Sequence, residues 1–146
     1  MPSKCEIIPD LSGEVVRFVC RGLNENEDWV GQNITLGIKL NHELIAGIII
    51  NDIRAGIDCW LTIYANNKRW CSKRVLRAVF DVVFDFLKCR RVSVMLDFQN
   101  KQSRKLVEKL GFQKEGVLRG FQNNGNDALI YSMLKQECQW RTKNNE

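Results

Sequence analysis

The chain has 146 residues, 45% of them hydrophobic, with only two prolines. That is enough for one domain (1–146) with a real core, and it excludes a disordered chain. A formal charge of +5 suits an anionic partner without choosing among nucleic acid, coenzyme A and acidic proteins.

In chain order, Pro9-Asp10-Leu11-Ser12 reads as a helix start, followed by apolar residues at Val15, Val16, Val19 and Cys20 in a 3.6-residue pattern. Gly22 and Asn24 stop it. Residues 34–40 alternate like a strand, Asn41-His42-Glu43 is turn-like, and 44–50 is strand again, which predicts an antiparallel hairpin. A third strand, about Gly56 to Tyr64, is apolar on both faces, as expected of a covered central strand. A polar connection, 65–68, leads to a helix capped by Ser72, with an inward stripe at Val75, Leu76, Val79, Phe80, Val83, Phe86 and Leu87. A strand at 92–96 follows. Next comes a helix from about Gln102 to Leu110, closed by Gly111. Strands at 112–118 and 128–134 flank a loop rich in Asn and Gly. The tail after Trp140 is expected to fray. The order predicts a mixed α/β sheet, mostly antiparallel, with helices on both faces.

Six cysteines form no CxxC pair and His42 is the only histidine, so no metal site of the usual spacing is expected. The thiols read as reduced and structural, in a reducing compartment. The basic residues are dispersed except at 68–74 and at Arg90-Arg91. No basic arm or stripe interleaved with aromatics exists, which disfavours nucleic acid. No apolar run approaches the roughly 18–20 residues of a membrane span. Met1-Pro2-Ser3 opens no apolar leader, so a soluble, cytoplasmic protein is expected.

The turn Arg69-Trp70-Cys71-Ser72-Lys73-Arg74 places positive charge and free N–H groups at a helix start beside a strand. Such a place can hold a polyphosphate. Arg69, Lys73 and Arg74 are its candidate phosphate ligands. Cations there oppose the helix dipole unless an anion joins them. Asp52, Asp58 and Asp97 are candidate bases, with solvated turn residues as the plainer reading. His42 sits at a hairpin tip and reads as a solvent-facing turn residue.

The pattern Asn100-x-x-Ser103, Leu110-Gly111-Phe112, Glu115-Gly116-Val117-Leu118-Arg119, with Tyr131-Ser132-Met133-Leu134, resembles the GCN5-related N-acetyltransferases. It is similar in particular to the branch that acetylates protein N-termini, ribosomal proteins included. Arg69-Trp70, Ala78-Val79-Phe80-Asp81 and the ending Met133 to Trp140 resemble short phage and prophage members, for which the compartment is the host cytoplasm. The resemblance spans about Ile34 to Trp140. It implies acetyl-CoA as cosubstrate and no metal. It also implies an amine acceptor (a protein N-terminus, a lysine or a small amine) and leaves a homodimer open. A binding module of the same fold is the alternative.

The family's Arg/Gln-x-x-Gly-x-Gly/Ala loop is matched by residues 69–74, which hold no glycine. The resemblance assigns the coenzyme to Ile63, Tyr64 and Ala65, to Arg69 through Arg74, and to Asn100, Ser103 and Arg104. A strand N–H from about Ile63 to Ala65 would polarise the thioester. Val107 stands where many members have a proton-donating Tyr, and Ser103, one turn earlier on that face, is the substitute. Asp58 and Asp97 are the favoured bases. Loops 22–33 and 119–127 are the expected acceptor walls.

Overall fold

A computed structural model describes residues 4–143. Seven strands form one sheet: β1 (Glu6–Pro9), β2 (Ile34–Leu40), β3 (Glu43–Arg54), β4 (Asp58–Ala65), β5 (Arg91–Asp97), β6 (Gln113–Leu118) and β7 (Ala128–Leu134). Their spatial order is β1-β2-β3-β4-β5-β7-β6. Every pair is antiparallel except β4 with β5. The helices are α1 (Glu14–Gly22), α2 (Lys73–Phe80), prolonged by a π-helical segment Asp81–Phe86, and α3 (Lys101–Leu110).

The continuous apolar run in β3 reflects burial on both faces. Ile48 and Ile50 enter the main core with Cys59 and Leu61 of β4, Val92 and Val94 of β5, and Val75, Val79 and Phe80 of α2. Val107 and Leu110 of α3 join the same layer. Ile49 points the other way, to Val15, Val19 and Cys20 of α1. Helix α1 lies directly on paired glycines, Gly37 opposite Gly47. A Cβ on Gly47 would stand 2.5 Å from Val19 Cγ2 and 2.7 Å from Val15 Cγ1. Only hydrogen at that position lets helix and sheet approach so closely.

Several expectations need correction. Pro9 ends an edge strand, β1, which sequence pattern alone did not separate from a helix start. Helix α1 begins at Glu14, and the Asp10 carboxylate reaches over Gly13 to accept the Val15 and Val16 N–H groups (3.3 and 3.0 Å). Strand β3 runs on to Arg54 through an irregularity where Asp52 takes a positive φ of 48°. Phe86 does not face inward: it is 73% exposed. The π turn adds a residue, with Leu87 N–H reaching the Val82 carbonyl (2.8 Å), and rotates the stripe. The tail is tied down as far as Thr142: Trp140 Nε1 donates to the Leu110 carbonyl (2.8 Å), Arg141 pairs with Asp85 (2.6 Å), and Thr142 N–H donates to Asp81 (2.8 Å). Among the described residues no helix is long and apolar enough to cross a membrane.

Candidate functional site

The parallel pair β4–β5 holds only from Asp58↔Arg91 to Leu61↔Val94. Beyond it, β4 continues to Ala65 on the β3 side and β5 to Asp97 on the β7 side. Each strand follows its own outer neighbour, and the two part. The gap runs along four residues of β4, about 13 Å at the usual strand rise.

Ladder parity shows what faces this gap. Asn66 N–H donates to the Ile45 carbonyl (2.9 Å) beside the Ala46↔Ala65 pair. In an antiparallel ladder this turns the N–H and C=O groups of Ala65, Ile63 and Leu61 away from β3. Leu61 still has β5 alongside, whereas Ile63 and Ala65 present their N–H groups to the gap. By the same rule the Phe98 N–H to Asp127 carbonyl bond (3.0 Å) turns Met95 and Asp97 toward it from the other side. Tyr64 does not share this role. Its backbone faces Gly47 of β3, and its ring lies on the α1 side, edge-on to Phe18 at 5.5 Å between centroids.

The mouth of the gap is the start of α2. A 3-10 turn, Lys68–Trp70, precedes it, and Asn67 Oδ1 accepts the Arg69 N–H at 3.0 Å. Trp70 is buried in the main core, so its indole anchors the turn from beneath and does not fill the mouth. The backbone N–H groups of Trp70, Cys71 and Ser72 are used by local carbonyls. Ser72 caps the helix as expected, its Oγ accepting the Val75 N–H (3.2 Å). That leaves the first-turn N–H groups of Lys73 and Arg74, which have no acceptor among the described residues. Lys73 is exposed. The Arg74 guanidinium instead donates to the Cys5 carbonyl and ties the segment before β1 to the helix.

Helix α3 flanks the gap from the β5 side. Asn100 is its N-cap, with Oδ1 accepting the Ser103 N–H (3.1 Å), and Ser103 is half-buried on the inward face with Val107. Arg104 turns elsewhere. Its Nη1 donates to the Phe98 carbonyl (3.2 Å), and its charge opposes the rise in the Tyr131 pKa. The Tyr131 phenol is pushed up mainly by burial, then by its 2.6 Å hydrogen bond to Glu108. Arg104 and Glu108 share that flank of α3, i to i+4. Lys109 lies on the opposite flank, where its charge acts against the burial that raises the Cys71 thiol pKa. That charge places Lys109 on the Cys71 side of α3. Sequence reading missed it, although its helical phase, away from Arg104 and Glu108, was a usable signal.

The aspartates divide sharply. Asp97 stands at the end of β5, but its carboxylate accepts from Gln99 N–H (2.9 Å), Asn124 Nδ2 (3.1 Å) and Asn126 Nδ2 (3.2 Å). Those bonds, the Gln99 N–H first, hold its pKa below the usual range. It braces the 119–127 loop and is a poor base. Asp58 is not brought to the gap: it opens β4 at the opposite end and pairs with Arg54 Nε at 2.7 Å. Asp52 is at that end too. His42 sits exposed at the β2–β3 turn with φ 68°. The two expected acceptor loops do meet, through Asn123 Nδ2 and Glu25 Oε1 (3.3 Å).

No protein-family profile matches the chain. It is 36% identical over 67 residues to the uncharacterized N-acetyltransferase YoaA of Bacillus subtilis (strain 168), a match covering 44% of this chain and 38% of that protein. It is 30% identical over 69 residues to the uncharacterized N-acetyltransferase p20 of Bacillus licheniformis, covering 45% and 39%. The matches thus take in about two fifths of those relatives' length. Among solved structures, the dodecameric spermidine N-acetyltransferase of Vibrio cholerae superposes with a TM-score of 0.71 at 14% identity, over 91% of this chain and 95% of that one. Mutant forms of the spermidine/spermine N-acetyltransferase SpeG from the same organism superpose with the same score, identity and coverage. At such identity the likeness establishes the fold.

Proposed function

We propose that this chain, which has the fold of the GCN5-related N-acetyltransferases, transfers an acetyl group from acetyl-CoA to an amine. The observation that carries the reading is the gap between β4 and β5, with Ile63 and Ala65 offering N–H groups along one wall. The start of α2, with its two free first-turn N–H groups and the Lys73 and Lys109 charges, stands at the mouth.

The residues fit the coenzyme by chemistry. Backbone donors on a strand edge suit an extended amide-bearing arm. A helix N-terminus with added cations suits a diphosphate. Lys73 and Lys109 offset the phosphate charge, while the Lys73 and Arg74 N–H groups give it direction. The Arg69 N–H, held by Asn67 Oδ1, is part of the turn. Acetyl-CoA supplies the activated acyl group. An N–H of Ile63 or Ala65 then stabilises the charge that builds on the carbonyl oxygen as the amine attacks. The Ser103 hydroxyl, on the inward face of α3, donates a hydrogen bond to the departing sulfur. Positioning of the two reactants carries most of the acceleration.

The acceptor enters between the loops joined by Asn123 and Glu25. A protein N-terminus, a lysine side chain or a small amine such as spermidine is the acceptor class. A second reading, a binding module that holds coenzyme A without turnover, is favoured by one observation: the aspartate nearest the gap, Asp97, has its oxygens committed to hydrogen bonds. In the first reading water takes the amine proton.

Calorimetric titration of acetyl-CoA, with release of free thiol followed against N-terminal peptides, lysine peptides and spermidine, tests both. Saturable binding with thiol release supports the enzyme. Binding without release for any acceptor supports the module. Absence of binding, and of the thermal shift that binding must cause, overturns both.

A further inference from the structure

The pair Arg90-Arg91, which the proposed reaction does not use, lies at the opposite end of the sheet from the gap. There the β3–β4 turn, the segment leading into β5, and the end of β7 converge. The Arg90 and Arg91 N–H groups both reach the Ile57 carbonyl (2.8 and 3.3 Å), and Lys135 N–H donates to the Arg90 carbonyl (3.0 Å). These bonds hold three cationic residues around a groove of about 440 Å³ that Ile57, Leu134 and Gln136 also line. Ile57 and Leu134 are 38% and 37% exposed, so the groove has an apolar floor open to solvent.

The neighbouring acids are already engaged. Glu115 pairs with Arg91, Asp58 with Arg54, and Asp85 with Arg141. The Glu137 oxygens accept from Leu134 N–H (2.8 Å) and Gln113 Nε2 (2.7 Å). No acid among the described residues pairs with Arg90 or Lys135. Arg90 and Lys135 both line the groove without an acidic partner, and an anion received between them relieves the repulsion of their charges. A guanidinium beside an ammonium matches a phosphate dianion better than a single carboxylate charge.

We propose that this groove is a second binding site, for a phosphate monoester carrying an apolar body. Arg90 and Lys135 take the phosphate, and Ile57 and Leu134 cover the apolar part. The site is independent of the acetyl-transfer reading. Two unpaired cations over an apolar floor make a compact pocket, unlike the extended aromatic and cationic track of a nucleic-acid groove.

Phenyl phosphate titrated calorimetrically into the full chain is the test. The expected result is saturable binding, tighter than that of inorganic phosphate. It should weaken about tenfold in Arg90→Ala and again in Lys135→Ala, and stay unchanged in Lys73→Ala. Arg90 is exposed and Lys135 half-buried, and circular dichroism confirms that the variants fold. The proposal is overturned if binding does not saturate, if it survives both substitutions, or if it is lost equally in Lys73→Ala, which would locate it at the gap. Equal affinity for phenyl phosphate and inorganic phosphate would overturn the role of Ile57 and Leu134.

Discussion

Gly22→Ala is the sharpest probe of how α1 is seated on the sheet. Gly22 ends α1 over the Tyr64 ring, and a Cβ there would stand 2.3 Å from Cδ2 and 2.4 Å from Cε2 and Cγ. Ordinary contact begins near 3.4 Å, so either the helix end or the ring must retreat by about 1 Å. The ring cannot slide freely, because it sits edge-on to Phe18 and its backbone is laddered to β3. Overpacking of this kind costs about 1–3 kcal/mol. Alanine's better helix propensity returns at most about 1 kcal/mol, and less at a terminal residue. The net expectation is a loss of about 1–2 kcal/mol, or a few degrees in Tm for a chain of this size. Urea denaturation of Gly22→Ala, Tyr64→Ala and the double variant measures it. The double variant should be more stable than the sum of the singles predicts, by about 1 kcal/mol or more, since removing the ring removes the clash. Strict additivity, or a Gly22→Ala chain as stable as its parent, would refute the contact.

Lys73→Glu and Lys109→Glu should each weaken acetyl-CoA binding about tenfold, an effect that fades with added salt; calorimetry at two ionic strengths checks it, and unchanged affinity in both removes them from the phosphate site. Ser103→Ala should lower turnover while leaving acetyl-CoA affinity intact, and undiminished turnover clears it of a chemical role. The Asp97 carboxyl has a folded pKa below its unfolded value. Its contribution to stability is therefore present above the unfolded value, about 4, and lost as pH falls through the folded one. The stability gap between the parent and Asp97→Asn should be widest at neutral pH and close in strong acid, and a gap that widens on acidification contradicts this. Ser72→Ala should cost about 1 kcal/mol through loss of the N-cap, read as a lower urea midpoint with an unchanged slope.

What the order of residues settled by itself was most of the local structure, the start of α1 and the π turn after Phe80 excepted. The period-2 run of β2, the unbroken apolar run of β3, the helical stripe from Val75 as far as Val83, the Ser72 and Asn100 caps and the Gly111 terminator each follow from chemistry within a few residues. The basic turn at 69–74 and the helix start beside it were equally legible, since charge and a free helix end are both local properties. Tertiary structure alone decided the rest, because it depends on which strand sits beside which. The gap exists because β4 and β5 follow different outer neighbours beyond Leu61 and Val94. That same parting turns the amides of Ile63 and Ala65, and not that of Tyr64, toward the opening. Tertiary contacts also engage the oxygens of Asp97 with loop asparagines and bury Trp70 in the main core. No spacing in the chain encodes these outcomes, for each joins segments that meet only once the sheet has closed.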